Sequence, residues 1–217
     1  MVANEAMQRQ LQGFNPQDVS NMVWAFATAD VHADKLFWVV ANDAVHRQLR
    51  GFKPQNIQNI SNMVWAFATA DINTDKLYKM LANEAVHRQL RGFNPQNLSN
   101  MIWAFATVGV RVEKLYEMVA NVVIQRKLRE FKPQNLSNMV WAFATADIYA
   151  DKLYEVVANE AVHRHLQGFN QQNLSNMVWA FAKAGVNADK LYEMVANETA
   201  VQQQVRGFNP QEVSNMV

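Results

Sequence analysis

The chain has 217 residues, half of them apolar, no cysteine, and 20 basic against 19 acidic side chains for a net charge of +1. That size and apolar share can build a full core, whereas the missing cysteine excludes disulfides, thiolate metal sites and thiol nucleophiles, and no run of about 18 apolar residues offers a membrane span. A near-neutral molecule has no overall field to draw in nucleic acid, so any such attraction must come from where its charges lie.

Self-similarity dominates the chain. Met1-Val2-Ala3-Asn4-Glu5 matches Met194-Val195-Ala196-Asn197-Glu198, and the sequence stops at Ser214-Asn215-Met216-Val217, where other copies continue into tryptophan. No targeting peptide is visible at the N-terminus. Residues 1–217 thus read as one repeat array, a piece of a longer protein, with any targeting segment or further domain expected outside it. Phe14, Phe52, Phe93, Phe131, Phe169 and Phe208 open successive copies at spacings of 38, 41, 38, 38 and 39. The repeats are 14–51, 52–92, 93–130, 131–168 and 169–207, with partial copies at 1–13 and 208–217.

Each copy opens with a helix whose start is marked by Asn15-Pro16-Gln17-Asp18: a capping asparagine, a proline suited to the first helical position, and an acid in the first turn. Val19, Met22, Val23 and Phe26 then follow the spacing of a buried helical stripe. This helix is expected to end near Asp30, or at Gly109 and Gly185, where glycine takes a left-handed C-terminal conformation. A second helix is expected over Asp34–Arg50, with Leu36, Val40, Ala44 and Leu49 inside. Its apolar stripe drifts around the axis, which suggests a bend near Asn42 and at Asn83, Asn121, Asn159 and Asn197. In the second copy Trp65 lies 13 residues after Phe52 instead of ten, because the stretch Asn56–Ile60 carries three extra residues; these should lengthen the start of that helix by nearly a turn. One extra residue near Thr199 accounts for the 39. No alternating strand pattern competes. A two-helix pair has too little surface for a core of its own and must stack on its neighbours, so the fold is all-α, an α-solenoid of helix-turn-helix repeats of about 38 residues.

With Val19 at the centre of the buried face, Gln17, Asn21 and Thr28 point away from the core, and Trp24 lies to one side. The same set recurs as Gln96, Asn100, Thr107; Gln134, Asn138, Thr145; and Gln172, Asn176, Lys183. Side-chain amides donate and accept together, as reading a base edge requires; the competing reading is a structural asparagine ladder between neighbouring helices. The tryptophans can stack bases, but a large indole inside a repeat is expected to pack against the next one, so Trp103→Ala should cost about 3–5 kcal/mol. Basic residues gather at the end of the second helix or just after it: Arg47, Arg50, Lys53; Arg88, Arg91; Arg126, Lys127, Arg129, Lys132; Arg164; and Arg206. With Arg9 they are 12 of the 20 basic residues. Stacked repeats would align them into an edge suited to phosphates. Asp30, Asp34, Asp71, Asp75, Asp147, Asp151 and Asp189 gather at the opposite edge. Complementing helix dipoles explains part of both patterns, although one base per helix suffices for that.

His46, His87 and His163 share a repeat position that Gln8, Gln125 and Gln202 fill elsewhere, which argues against metal ligation. No carboxylate pair, nucleophile–base set or phosphate loop stands out, so neither a cofactor nor catalysis is expected. Asn97-Leu98-Ser99 fits a glycosylation motif but falls inside an expected helix.

The line Phe93-Asn94-Pro95-Gln96-Asn97-Leu98-Ser99-Asn100-Met101-Ile102-Trp103-Ala104-Phe105-Ala106 resembles the octotricopeptide repeat, related to the helical repeats of RAP-domain organellar proteins. The chain departs from that pattern in its second helix (Leu115–Asn121), at Lys53 and Lys132, which replace the capping asparagine, and at Gln171, which replaces proline; no RAP domain is present. The resemblance implies a protein of the chloroplast or mitochondrion that binds single-stranded RNA and acts in RNA stability, processing or translation. The alternative is a structural subunit or protein-binding scaffold of a larger complex. Ser99-Asn100 and its equivalents are the same in every copy, whereas His32, Asn73, Arg111, Tyr149 and Asn187 in the inter-helix turn vary.

Overall fold

The computed structural model describes residues 11, 13–46 and 57–201. Among the described residues it holds ten α-helices, one 3-10 turn and no strand, the neighbouring helices packing as an α-solenoid. The chain divides into two compact units, Met1–Leu115 and Tyr116–Val217. The first contains α1 (Pro16–Thr28), α2 (Asp34–His46), α3 (Ile57–Thr69), α4 (Asp75–His87) and α5 (Pro95–Thr107). The helix α6 (Glu113–Ile124) spans the division. The second contains the 3-10 turn (Leu128–Glu130), α7 (Pro133–Thr145), α8 (Asp151–His163), α9 (Gln171–Ala184) and α10 (Asp189–Val201). Within the first unit α1 packs on α3 and α3 on α5; within the second, α7 packs on α9 and α8 on α10.

The first helix of each repeat begins as its sequence requires. Asn15, Asn94 and Asn170 cap α1, α5 and α9, in reciprocal boxes with Asp18, Asn97 and Asn173. Lys132 has no acceptor to offer, so α7 keeps half of that box: the Lys132 N–H donates to Asn135 Oδ1 at 3.0 Å. At the other end a Schellman closure recurs. In α1 the Val31 N–H donates to the Phe26 carbonyl at 3.0 Å and the Asp30 N–H to the Ala27 carbonyl at 3.3 Å. The left-handed residue is Gly109 or Gly185 where glycine is present, and otherwise Asp30, Asp71 or Asp147, each with φ of 51–56°.

The second helix is shorter than expected. Helices α4 and α8 stop at His87 and His163, four residues before the equivalents of Arg50. Gln89 and Leu90, like His165 and Leu166, take positive φ. Left-handed backbone is costly for a leucine, and burial of Leu90 and Leu166 compensates. These leucines were expected inside the helix; they anchor the turn instead. That accounts for the drifting stripe, and α2, α4 and α8 run unbroken through Asn42, Asn83 and Asn159.

The core seam joins the second helix of one repeat to the first helix of the next. Phe37 meets Phe67, Tyr78 meets Phe105, Tyr116 meets Phe143 and Tyr154 meets Phe181, edge to face with centroids 5.0–5.5 Å apart. The Tyr154 hydroxyl donates to the Val140 carbonyl at 3.0 Å and that of Tyr78 to the Val64 carbonyl at 3.4 Å. Burial holds both phenols above their usual range, and the Asp71 carboxylate adds to the rise at Tyr78. Phe26, expected in the core, is half-buried, while its counterparts Phe67, Phe105, Phe143 and Phe181 are fully buried.

Candidate nucleic-acid interface

The amides predicted to face outward do so. Gln17 and Asn21 on α1 are exposed; Gln96, Gln134 and Gln172 are exposed on α5, α7 and α9, and Asn100, Asn138 and Asn176 are half-buried beside them. Helix α3 completes the series with Gln58 and Asn62, because its described part from Ile57 runs in register with α5 from Pro95. Of the inserted stretch, residues 57–60 open α3 as helix, whereas Asn56 and the residues before it, like Arg47, Arg50 and Lys53, lie outside the described residues, as do Arg9, Arg206 and most of the partial end copies.

The tryptophans do not pack in the core as their residue type suggests. Trp24 is 43% exposed, and Trp65, Trp103, Trp141 and Trp179 are half-buried. The spacing explains this. Gln17, Asn21, Trp24 and Thr28 are separated by 4, 3 and 4 residues, which at about 100° per residue confines them to one arc of about 60°. The slot facing the preceding repeat is already filled by the phenylalanine two residues on, such as Phe105. The indoles meet each other instead: Trp24 and Trp65 lie 6.4 Å apart at 40°, Trp141 and Trp179 6.3 Å apart at 32°. Lys183, where other copies carry threonine, sets its ammonium 5.4 Å from the Trp179 ring centre and 3.3 Å from Asp147 Oδ1.

A structural amide does exist, three residues before the presented one. Asn59, Asn97, Asn135 and Asn173 are buried, together with Ser20, Ser61, Ser99, Ser137 and Ser175. Asn97 Oδ1 accepts from the Asn94 N–H at 3.2 Å, while its Nδ2 donates to Ser61 Oγ of the previous repeat at 3.0 Å. Sequence inspection misses this position because it reads as one more polar residue of a first turn. Its signal is the capping box.

The basic edge separates into two kinds of residue. Arg164 is 17% exposed and donates from Nε to Glu160 at 2.7 Å, from one terminal nitrogen to the Phe131 carbonyl at 2.8 Å and from the other to the Leu128 carbonyl at 2.6 Å. It ties the end of α8 to the turn before α7. Arg88, 12% exposed, grips Glu84 in the same way at 2.6–2.7 Å, and Arg126 is half-buried. Arg91, Lys127, Arg129 and Lys132 are exposed in the turns that lead into α5 and α7, Arg129 lying 3.3 Å from His163 Nε2. Asp30, Asp71 and Asp147 are exposed at the opposite ends of the first helices. Among the described residues no group of three His, Asp or Glu side chains is placed to hold a metal, and no helix is long and apolar enough to cross a membrane.

Helix pairs that repeat the same amide-and-indole stripe, with exposed basic turns before α5 and α7, define a helical-repeat protein. Within that class the chain belongs to the RNA-editing substrate-binding complex 6 protein family, whose model matches residues 5–217. This is a helical, RNA-associated repeat family, a coarser placement than the octotricopeptide kinship suggested by Phe93–Ala106. No curated protein matches the sequence.

Proposed function

We propose that the chain is a binding subunit, not an enzyme, that holds single-stranded RNA within an RNA-editing substrate-binding complex. The observation that carries this reading is the recurrence of Gln and Asn on the solvent arc of every first helix, at the end where Arg91, Arg129 and Lys132 are exposed. Amides give directional contacts to base edges, and exposed cationic side chains give sequence-independent contacts to phosphates. The octotricopeptide-like motif supports the same reading and adds a chloroplast or mitochondrial setting, where RNA stability, processing or translation is the corresponding task. The family name favours editing substrates among these.

The test is a titration of labelled single-stranded RNA pools with the full chain at low and moderate salt. Affinity should fall steeply with salt. Replacing Arg91 and Arg129 by glutamine should weaken all sequences alike and flatten the salt slope by about one unit for each arginine that meets a phosphate. Replacing Asn100, Asn138 and Asn176 by alanine should change which sequences bind. A scaffold reading draws on Tyr149, 82% exposed in a variable inter-helix turn; absence of RNA binding even at low salt would leave that reading standing alone.

A further inference from the structure

The tryptophan row has no part in the amide-and-phosphate reading above, yet it occupies the same arc. In each first helix the indole sits three residues beyond the presented asparagine and seven beyond the glutamine, so about 4.5 Å and about 10.5 Å of axial rise separate it from the two amides. Large aromatic rings left half open to solvent, one per repeat, are not needed for the core, whose aromatic positions are filled by the buried Phe–Tyr pairs. One ring face already takes a cation: Lys183, four residues on in the same helix, sets its ammonium over the Trp179 ring.

Charge gives the surface a direction. Basic turns stand at the N-terminal ends of α5 and α7, where the helix dipoles are also positive, and carboxylates stand at the C-terminal ends of α1, α3 and α7. From Pro95 to Trp103 is eight residues, about 12 Å along the axis. Within either unit, a strand whose phosphates meet the basic turn therefore lays its bases down the helix, past the amides and onto the rings. We infer that the indole row of each unit is a stacking platform for unpaired bases of RNA, resting on the single-stranded RNA reading above and adding to its amide and phosphate contacts a third, base-stacking one. The paired indoles stand less than twice the 3.4 Å stacking rise apart, so a base lies over the open side of the row rather than between two rings. Every base has a face to stack, so this contact supplies affinity without sequence preference. A duplex keeps its base faces inside its own stack and cannot use it.

The experiment titrates the full chain with a short oligouridylate, a mixed-sequence single strand and the mixed sequence as a duplex, following intrinsic tryptophan emission and binding in parallel. Both single strands should quench the emission in step with binding, and the duplex should bind more weakly without quenching. Trp103→Leu and Trp141→Leu should each weaken single-strand binding about five- to a hundredfold, with Trp103→Phe and Trp141→Phe keeping most of the affinity should the leucine variants unfold. Trp38, on the second helix, serves as the control, and Trp38→Leu should leave binding unchanged. Single strands that bind with unaltered emission and equal affinity in the tryptophan variants would overturn the stacking platform while leaving RNA binding intact. Duplex binding as tight as single-strand binding would also overturn it. No binding of any RNA at low salt would remove the RNA reading and the platform together.

Discussion

Each unit carries two aromatic rows at the same repeat period, and they do opposite things. The inner row, Phe37, Tyr78, Tyr116 and Tyr154 against Phe67, Phe105, Phe143 and Phe181, is sealed between successive helix pairs. The outer row of Trp24, Trp65, Trp103, Trp141 and Trp179 lies on the solvent arc. Only two residues separate the tryptophan from the core phenylalanine, yet two residues rotate the side chain by about 200°. Recurrence in a repeat array therefore says that a position is used, not what it is used for. The angular relation to the apolar stripe says which.

The sharpest way to break this contrast is to truncate both rows. Phe105→Ala should cost about 3–5 kcal/mol, as removal of a fully buried aromatic does, read as a fall in the denaturant midpoint; a loss under about 1.5 kcal/mol would mean the seam is not the core. Alkali probes the same seam. Tyr154 has a folded pKa raised by burial, so its stabilising contribution is complete below the unfolded phenol value of about 10 and is lost as pH rises above it. The expected result is steepening alkaline unfolding, with Tyr154→Phe removing part of the pH dependence.

Arg164→Gln should come next, at about 2–3 kcal/mol, because it leaves the Leu128 and Phe131 carbonyls and the Glu160 carboxylate without their donor. Arg91→Gln, on an exposed side chain, should change stability by less than about 0.5 kcal/mol. Equal losses in thermal unfolding would erase the distinction between structural and presented bases.

The helix pairs, their caps and their stacking are legible in the sequence because each is a local rule repeated along the array: Asn94 before Pro95, Leu98 and Ile102 on one face, Gly109 or Asp147 at the closing turn. The outward direction of Gln96 and Asn100 is legible for the same reason. Three features are not. Residue type places the tryptophan in the core, against its own angle. The end of the second helix is hidden because Leu90 and Leu166 keep an apolar periodicity while their backbone has turned left-handed. Arg88 and Arg164 look like surface charge in a one-dimensional reading, since the carbonyls Arg164 satisfies lie 33 and 36 residues away.

Trp103→Ala tests the outer row directly and should cost about 1–2 kcal/mol, well under the inner row, since much of that surface stays in water in the native state. Lys183→Thr is smaller still and more telling. The lysine contributes a cation–π contact to Trp179 worth about 0.5–1 kcal/mol at an exposed site and an ion pair with Asp147 whose side chains are 37% and 68% exposed, a pairing that solvent and salt largely screen. The threonine that replaces it can donate to the Trp179 carbonyl as Thr28 and Thr107 donate to those of Trp24 and Trp103, at 2.8 and 2.9 Å. The two changes offset each other, so stability should shift by less than about 0.5 kcal/mol, and the shift should shrink further as salt is raised. Denaturant unfolding of the variant and the parent chain at low and high salt reads this out. A salt-insensitive loss above about 1 kcal/mol would show that Lys183 and Trp179 pack as part of the core. The outer row would then be a second seam rather than an open face.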